Sequence, residues 1–459
     1  MKLALLLCLS VGTLHAGVNP EIVDLAVGGT YEVKLGSGKT KTLRLISYRE
    51  ETERYFEPAN HAFTNAVVKA EVLVSVDGVQ RSLTGGPFHM PQEVNGLWVL
   101  VNVTRGWLGG IEPDHLTKDV RLEVADASRP FYDPNRFVFP IRNYRWRAMN
   151  YQHTYLGVVV NQPKLYYHRG EDMGMIPDRE EVLAMTEGEM TKVPGPQGDG
   201  DSNTCEFEDP TGLVFYYAHM NAPNILPELI PGSRLRQGDM LGLTGNTWQG
   251  KPVWDPHLHV DVEVKGAQAF RHTFPIFVAA YRRDFPEELL PIAGGWRNIW
   301  EGGTLELDSS LSLAGVNRRI VSYDWSFTDG SHAVGPRVTR SYVHAGTYSE
   351  GLKVTDDLGH SELDFVEVFV LTPEQHLPPP YAWINYYPIR GIRPGTPVEF
   401  LTRYTNLRDV AIDFGDGTKI PWRLVTAHRY QKPGTYVVEV CGQDAGAGPG
   451  VFHVRLIVE

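Results

Sequence analysis

Four histidines lie between residues 154 and 271, namely His168, His219, His257 and His259, each in a short polar patch beside a β-like run. Alone, each would more often be a packed core residue or a surface residue than a ligand. Together with Asp172 they describe a metal site. In His257-Leu258-His259, followed by Val260-Asp261-Val262-Glu263-Val264, the alternation is that of a strand, and a period of two puts both imidazoles on one face. One of them can then bind a metal while the other faces a substrate beside it. The structural alternative is an exposed polar face carrying two incidental histidines. His168-Arg-Gly170-Glu-Asp172 poses a harder problem, because regular strand would separate its end residues by about 13 Å. Gly170 and Gly174 argue against a helix, so a bend at Gly170 is the expected solution.

An imidazole, a carboxylate and a second imidazole leave a fourth coordination position open, the arrangement of a catalytic zinc site and not of a closed structural one. Zinc makes water nucleophilic near neutral pH, and hydrolysis also needs a proton acceptor and donors for the tetrahedral oxyanion. His219, in Phe215-Tyr-Tyr-Ala-His219-Met, and His257 are the candidates for those tasks.

Taken in order, these motifs resemble the lysostaphin-type, LytM-like zinc endopeptidases, which cut peptide cross-links in bacterial cell walls. The resemblance runs from about Phe139-Pro140 to Val264. It takes in the His168 to Asp172 motif, Glu181-Val-Leu-Ala184 with Gly188, Tyr217-Ala-His219-Met, Gly232 to Gly242, Thr244-Gly245-Asn246 and Pro256-His257-Leu-His259. It implies one zinc per chain held by His168, Asp172 and His259, with His219 and His257 lining the reaction centre. It also implies a compact β-sheet domain of the duplicated hybrid motif type, with a groove. The departures lie in the walls: a long polar loop from Val193 to Asn203, a longer stretch from Trp248 to Asp255, and Asp261 where the family commonly has Glu. Cys205 falls outside the motif and reads as a structural thiol. His153 reads as an ordinary polar residue.

The elements that must position this chemistry are expected to be mostly β. Gly 46 and Pro 32, with many short Val/Tyr/Thr runs between turn residues, favour β-rich domains over helical bundles. At roughly 100 to 200 residues per domain, 459 residues predict about three domains. Residues 1–16 have the layout of a secretory signal peptide, with Lys2, an apolar stretch and small residues ending at Ala16. Residues 17–135 read as an N-terminal β domain of unknown role, and 136–297 as the peptidase domain with a C-terminal extension. Further on, Tyr342-Val-His-Ala-Gly-Thr-Tyr348 is echoed by Tyr430-Gln-Lys-Pro-Gly-Thr-Tyr436, and Trp325-Ser-Phe327-Thr-Asp-Gly330 by Ile412-Asp-Phe414-Gly-Asp-Gly417. These units resemble PKD (polycystic kidney disease) domains, immunoglobulin-like sandwiches, at 298–371 and 382–459. Residues 372–381, with Pro378-Pro379-Pro380, read as a stiff Pro-rich linker.

Formal charge is −12, and −13 without residues 1–16, which contain one Lys and no acid; an acidic chain without a basic tract has no general attraction for nucleic acid. Beyond the signal region only Cys205 and Cys441 remain, too few for a disulfide framework. No apolar stretch approaches the ~20 residues of a transmembrane helix. The expectation is therefore an exported zinc metalloendopeptidase of the periplasm, cell envelope or extracellular space. Its partner is peptidoglycan or another peptide substrate, with polymer or surface docking through the PKD-like units. The competing reading is a non-catalytic, metal-containing envelope or adhesion protein that binds wall or surface polymers; intact His219 and His257 favour the enzyme.

Overall fold

The computed structural model describes residues 19–57, 61–109, 116, 118–151, 153–159, 165–267, 269–444 and 448–459; the signal-peptide expectation for 1–16 falls outside them. Among the described residues the chain forms thirty-five strands and one α-helix, so it is mostly β, as composition predicts. None of their helices is long and apolar enough to cross a membrane.

The N-terminal part is a sandwich of two four-stranded antiparallel sheets. One runs in the order Glu21–Leu25, Val120–Asp126, Leu97–Thr104, Gln92–Val94, and the other Thr30–Lys34, Thr40–Glu57, Ala62–Val76, Val79–Gly85. Alternate residues such as Leu43, Leu45, Val72 and Val74 pack in one buried core with Val99, Val101, Leu122 and Val124, as period-two burial requires. Tyr155, Leu156, Val158, Tyr167 and Phe270 complete that core from later in the chain, so packing runs across the boundary expected at residue 135. The Thr40–Glu57 and Ala62–Val76 strands outgrow the sandwich as a hairpin arm. Near its tip Glu53 meets Arg297 Nε at 2.6 Å and the Asn298 N–H at 3.0 Å, and Phe63 meets the ring of Trp300 edge-on at 4.8 Å.

The central sheet is antiparallel, in the order Glu171–Gly174, His257–Val264, Leu213–Ala218, Cys205–Glu208, Gly188–Lys192, Arg234–Leu235, and Ala269–Phe270 pairs with His257–Val264 off this path. Leu258, Val260 and Val262 are fully buried on its rear face, in one cluster with Phe274 and Phe277 of the helix Thr273–Asp284. The alternation of that strand thus turns the histidines to the front.

The two C-terminal units repeat their interior residue for residue. Trp325, Phe327 and Tyr342 are buried in the first, and Ile412, Phe414 and Tyr430 in the second. Tyr348 Oη donates to the His344 carbonyl and Tyr436 Oη to the Lys432 carbonyl, both at 2.8 Å. The units share a nine-stranded sheet through parallel pairing of Thr347 with Gly450. The proline-rich stretch between them is fastened at both sides: the Thr347 hydroxyl donates to the Pro380 carbonyl and the Asn406 amide to that of Pro378, each at 2.9 Å.

Candidate active site

Strand pairing brings the distant motifs together. Asp172 is the register partner of His259, and Ala218, the residue before His219, is the register partner of His259 on the other side. The chain bends at Gly170, where a Cβ would lie 2.3 Å from the Val260 carbonyl oxygen. Only a glycine lets the His168 segment come so near the His257–Val264 strand. As a result His168 Nε2 lies 3.0 Å from Asp172 Oδ1 and 2.9 Å from His259 Nδ1, and His259 Nδ1 lies 2.9 Å from Asp172 Oδ1.

The hydrogen bonds behind this triangle decide what it can hold. His168 Nδ1 faces the Gly170 carbonyl at 2.8 Å, and a carbonyl can only accept, so the proton sits on Nδ1 and the Nε2 lone pair points inward. His259 Nε2 faces Asp261 Oδ2 at 3.3 Å, which by the same reasoning turns the Nδ1 lone pair inward. Two imidazole nitrogens and a carboxylate oxygen thus converge at about 3 Å, a set reconciled either by a second proton on His259 or by a cation that replaces it. Zinc bonds of about 2.0–2.2 Å would separate tetrahedral donors by roughly 3.3 Å. The donor set fits a divalent ion with mixed nitrogen and oxygen ligands, and Asp261 and the Gly170 carbonyl are the outer partners such ligands need. Burial takes the His168 imidazole down to about 4, against the pull of Asp172. At His259 burial acts downward but is overcome by hydrogen bonds to Asp172 and Asp261, which carry it up to about 9. At Asp172 burial acts upward and is outweighed by His168, His257 and the contact with His153, which hold the carboxyl well below its usual range.

His219 and His257 stand together beside the triangle, ring centroids 4.4 Å apart. His219 adopts a positive φ of 72° just past the strand Leu213–Ala218, and its Nδ1 bonds the Thr247 carbonyl at 2.9 Å. His257 Nδ1 bonds the Asp255 carbonyl at 2.7 Å, and its Nε2 lies 3.8 Å from Asp172 Oδ1. In both, the backbone partner leaves Nε2 free to accept a proton. Burial, then the neighbouring His257 and His259, hold the His219 imidazole well below its usual value, so it is neutral.

The departures in the walls meet in one place. Asp199 accepts the backbone N–H groups of Asp201, Asn203 and Thr204, the Gly250 N–H donates to the Asp201 carbonyl, and the 193–203 loop is thereby tied to the short hairpin Thr247–Trp248/Lys251–Pro252. That hairpin sets the Trp248 ring 5.3 Å from His219. Cys205 is fully buried, and burial pushes its thiol up to about 12, the condition of an inert packing residue.

His153 requires a correction, since it is not an ordinary polar side chain. It is buried, its Nδ1 lies 3.4 Å from Asp172 Oδ2, and its ring meets Trp296 edge-on at 4.5 Å. No local pattern in the sequence signals this, because the partners Asp172 and Trp296 meet His153 only in the folded chain.

Comparison with known proteins gives this arrangement a class. Residues 166–270 match peptidase family M23, and residues 290–370 match the PKD domain. The middle of the chain is thus similar to family M23 peptidases, and a match to the PKD domain follows it. Among solved structures, a putative glycyl-glycine endopeptidase lytM from Ruminococcus gnavus ATCC 29149 is 24% identical over 29% of this chain and 61% of that one, with a TM-score of 0.22. The chain therefore spans less than two thirds of that relative. Fibronectin(III)-like modules of Clostridium thermocellum CbhA are 9% identical over 38% of this chain and 94% of theirs, with a TM-score of 0.16. SGBP-B of a Bacteroides ovatus mixed-linkage glucan utilization locus, in complex with a heptasaccharide, is 18% identical over 38% and 43%, with a TM-score of 0.16.

Proposed function

We propose that this chain is an exported zinc metalloendopeptidase that hydrolyses peptide cross-links of bacterial peptidoglycan. The observation that carries the reading is the convergence of His168 Nε2, Asp172 Oδ1 and His259 Nδ1 within 4.8 Å of one another, with the other nitrogen of each imidazole held by an outer acceptor. His168, Asp172 and His259 would hold the ion, which when bound supplies Lewis-acid activation of water and of the scissile carbonyl. The remaining tasks fall to this chain's own side chains. His219 and His257, each with Nδ1 committed to a backbone carbonyl, accept a proton at Nε2 from the attacking water. Once protonated, that nitrogen donates to the tetrahedral oxyanion or to the leaving amine. Trp248, Tyr216, whose ring lies 6.0 Å from that of His259, and the fastened 193–203 loop form the wall that orients the substrate strand. Peptide-bond hydrolysis is supported by the family match; the wall cross-link and export are supported by the motif resemblance and the signal-peptide layout of residues 1–16. Domain limits at 17–135, 136–297, 298–371 and 382–459 belong to the same proposal, with the PKD-like unit at 298–371 as a docking module for a polymer or surface.

Elemental analysis of the purified protein should find one zinc per chain, lost in His259→Ala. His219→Ala and His257→Ala should keep the metal and lose roughly 10²- to 10⁴-fold in turnover. Mass spectrometry of peptidoglycan digests should show new amino termini within the cross-links. A metal-loaded wild-type protein that binds peptidoglycan and releases no products would instead make it the non-catalytic binding protein.

A further inference from the structure

We infer that the last C-terminal unit belongs to the catalytic apparatus, with Asn385 and Asn150 as positioning residues that hold His257 in register with the Asp172 strand. The inference rests on the catalytic reading of His257 given above.

The strand Tyr381–Tyr387, first in that unit, has six buried residues in succession and a seventh half-buried. A strand of a free-standing sandwich leaves one face to water; this one is covered on both. Against it lies Asn150, whose side chain replaces strand pairing. Its Nδ2 donates to the Ala382 carbonyl at 2.6 Å, its Oδ1 accepts from the Ile384 N–H at 2.9 Å, and its own carbonyl accepts from Tyr381 Oη at 3.2 Å. The segment so fixed carries Tyr151. That ring stacks on His257 with centroids 4.4 Å apart and planes 26° from parallel, and the Tyr151 carbonyl accepts the Gly174 N–H at 3.0 Å.

Asn385 reaches the same place from the other side. It is fully buried, and its Nδ2 donates at 3.4 Å to the carbonyl of Pro256, the residue before His257; Met175 N–H donates to that carbonyl at 3.3 Å. Its Oδ1 sits so close to Gly174 that a Cβ there would lie 2.6 Å away. Gly174 and His257 are register partners, as are Asp172 and His259. The amide of Asn385 therefore occupies the end of the strand pair that carries the candidate ligands. Its Oδ1 has no hydrogen-bond partner among the described residues, a burial of a polar atom that is unfavourable. An aliphatic side chain would avoid that cost and lose only the bond to Pro256. Because the Asp255 carbonyl fixes the His257 proton, a shift of residues 255–256 turns the His257 Nε2 away from its target, and displacements of about 1 Å can cost 10²-fold in rate.

The test uses the full-length, zinc-loaded chain and soluble muropeptides as substrate. Asn385→Ala should keep its zinc and its KM within about twofold while kcat falls about tenfold or more. In a His257→Ala background the same substitution should cause no further loss, because its effect acts through that imidazole. Asn150→Asp is the second variant: it retains the acceptor for Ile384 and loses the donor to Ala382, and the same split between kcat and KM is expected. Normal kcat in zinc-loaded Asn385→Ala and Asn150→Asp, or a loss that simply multiplies that of His257→Ala, overturns the positioning role. Wild-type turnover by His257→Ala overturns the catalytic reading of that histidine, and the positioning role with it.

Discussion

The two C-terminal units have the same interior and opposite surroundings. The first keeps a core of its own, built from Trp325, Phe327, Tyr342, Leu352 and Val354. The second has lost that independence: Tyr381, Ile384, Tyr386, Phe400 and Phe414 fall in one continuous cluster with Phe139, Trp146 and Phe277 of the peptidase region. A repeat signature specifies which residues point inward. Whether the unit is a spacer or a scaffold is decided by the faces it turns to its neighbours, here the strand Tyr381–Tyr387 with Arg390 and Arg455.

The largest expected effect follows from that contrast. A chain ending at residue 371 exposes the faces on which Tyr381, Trp383, Ile384 and Tyr386 pack, and near-ultraviolet circular dichroism should show the peptidase region without fixed tertiary packing. A shortened chain with native spectrum and zinc content would make the two units equivalent after all.

Matched cavities in the two cores give the next effect. Trp325→Ala should cost about 3–5 kcal/mol, confined to a separate unfolding transition of the first unit, with peptidase turnover kept. Ile384→Ala should cost about 2–5 kcal/mol and take the catalytic region with it. Differential scanning calorimetry separates the outcomes, and a Trp325→Ala chain that loses zinc would break the comparison.

The surface by which the first unit meets the peptidase contains Glu367, whose carboxyl burial, helped by the nearby Asp364, pushes up to about 8. A carboxyl raised in the folded state favours folding while it is protonated, so its stabilisation is complete below about pH 4.5 and lost as pH rises through about 8. Glu367→Gln should leave stability near pH 4.5 unchanged and raise it at pH 8.5, by an amount on the order of a few kcal/mol or less. Equal shifts in urea midpoint at both pH values would remove Glu367 as the cause.

The smallest effect tests sameness. Tyr348→Phe and Tyr436→Phe each remove one hydroxyl bond to the carbonyl four residues back, and each should cost about 1 kcal/mol or less. Unequal costs, read from urea unfolding, would show that the surroundings reach into the repeated interior.

The site was more legible in the sequence than the assembly around it. Period two placed His257 and His259 on one face, and the pair of glycines demanded a bend between His168 and Asp172, because strand geometry and ligand distances are local constraints. The repeated Y-x-x-x-G-T-Y motif likewise exposed the interiors of the C-terminal units. His153 was missed because its role depends on Asp172 and Trp296, which are near it only in space. For the same reason nothing in Asn150 or Asn385 announced their partners, which lie 232 residues away for Asn150 and Ala382 and 129 for Asn385 and Pro256.

The N-terminal hairpin arm has a bearing on how the molecule is made. Its contact from Glu53 to Arg297 spans 244 residues, and a chain emerging from its amino end exposes Phe56 and Phe63 long before their acceptor strand exists. Loop-closure entropy grows only as the logarithm of length, about 0.6 kcal/mol per doubling, so distance does not forbid the contact; it delays it. Every residue between must be synthesised and arranged before arm and strand can meet, which makes that meeting a record that synthesis has passed Trp300.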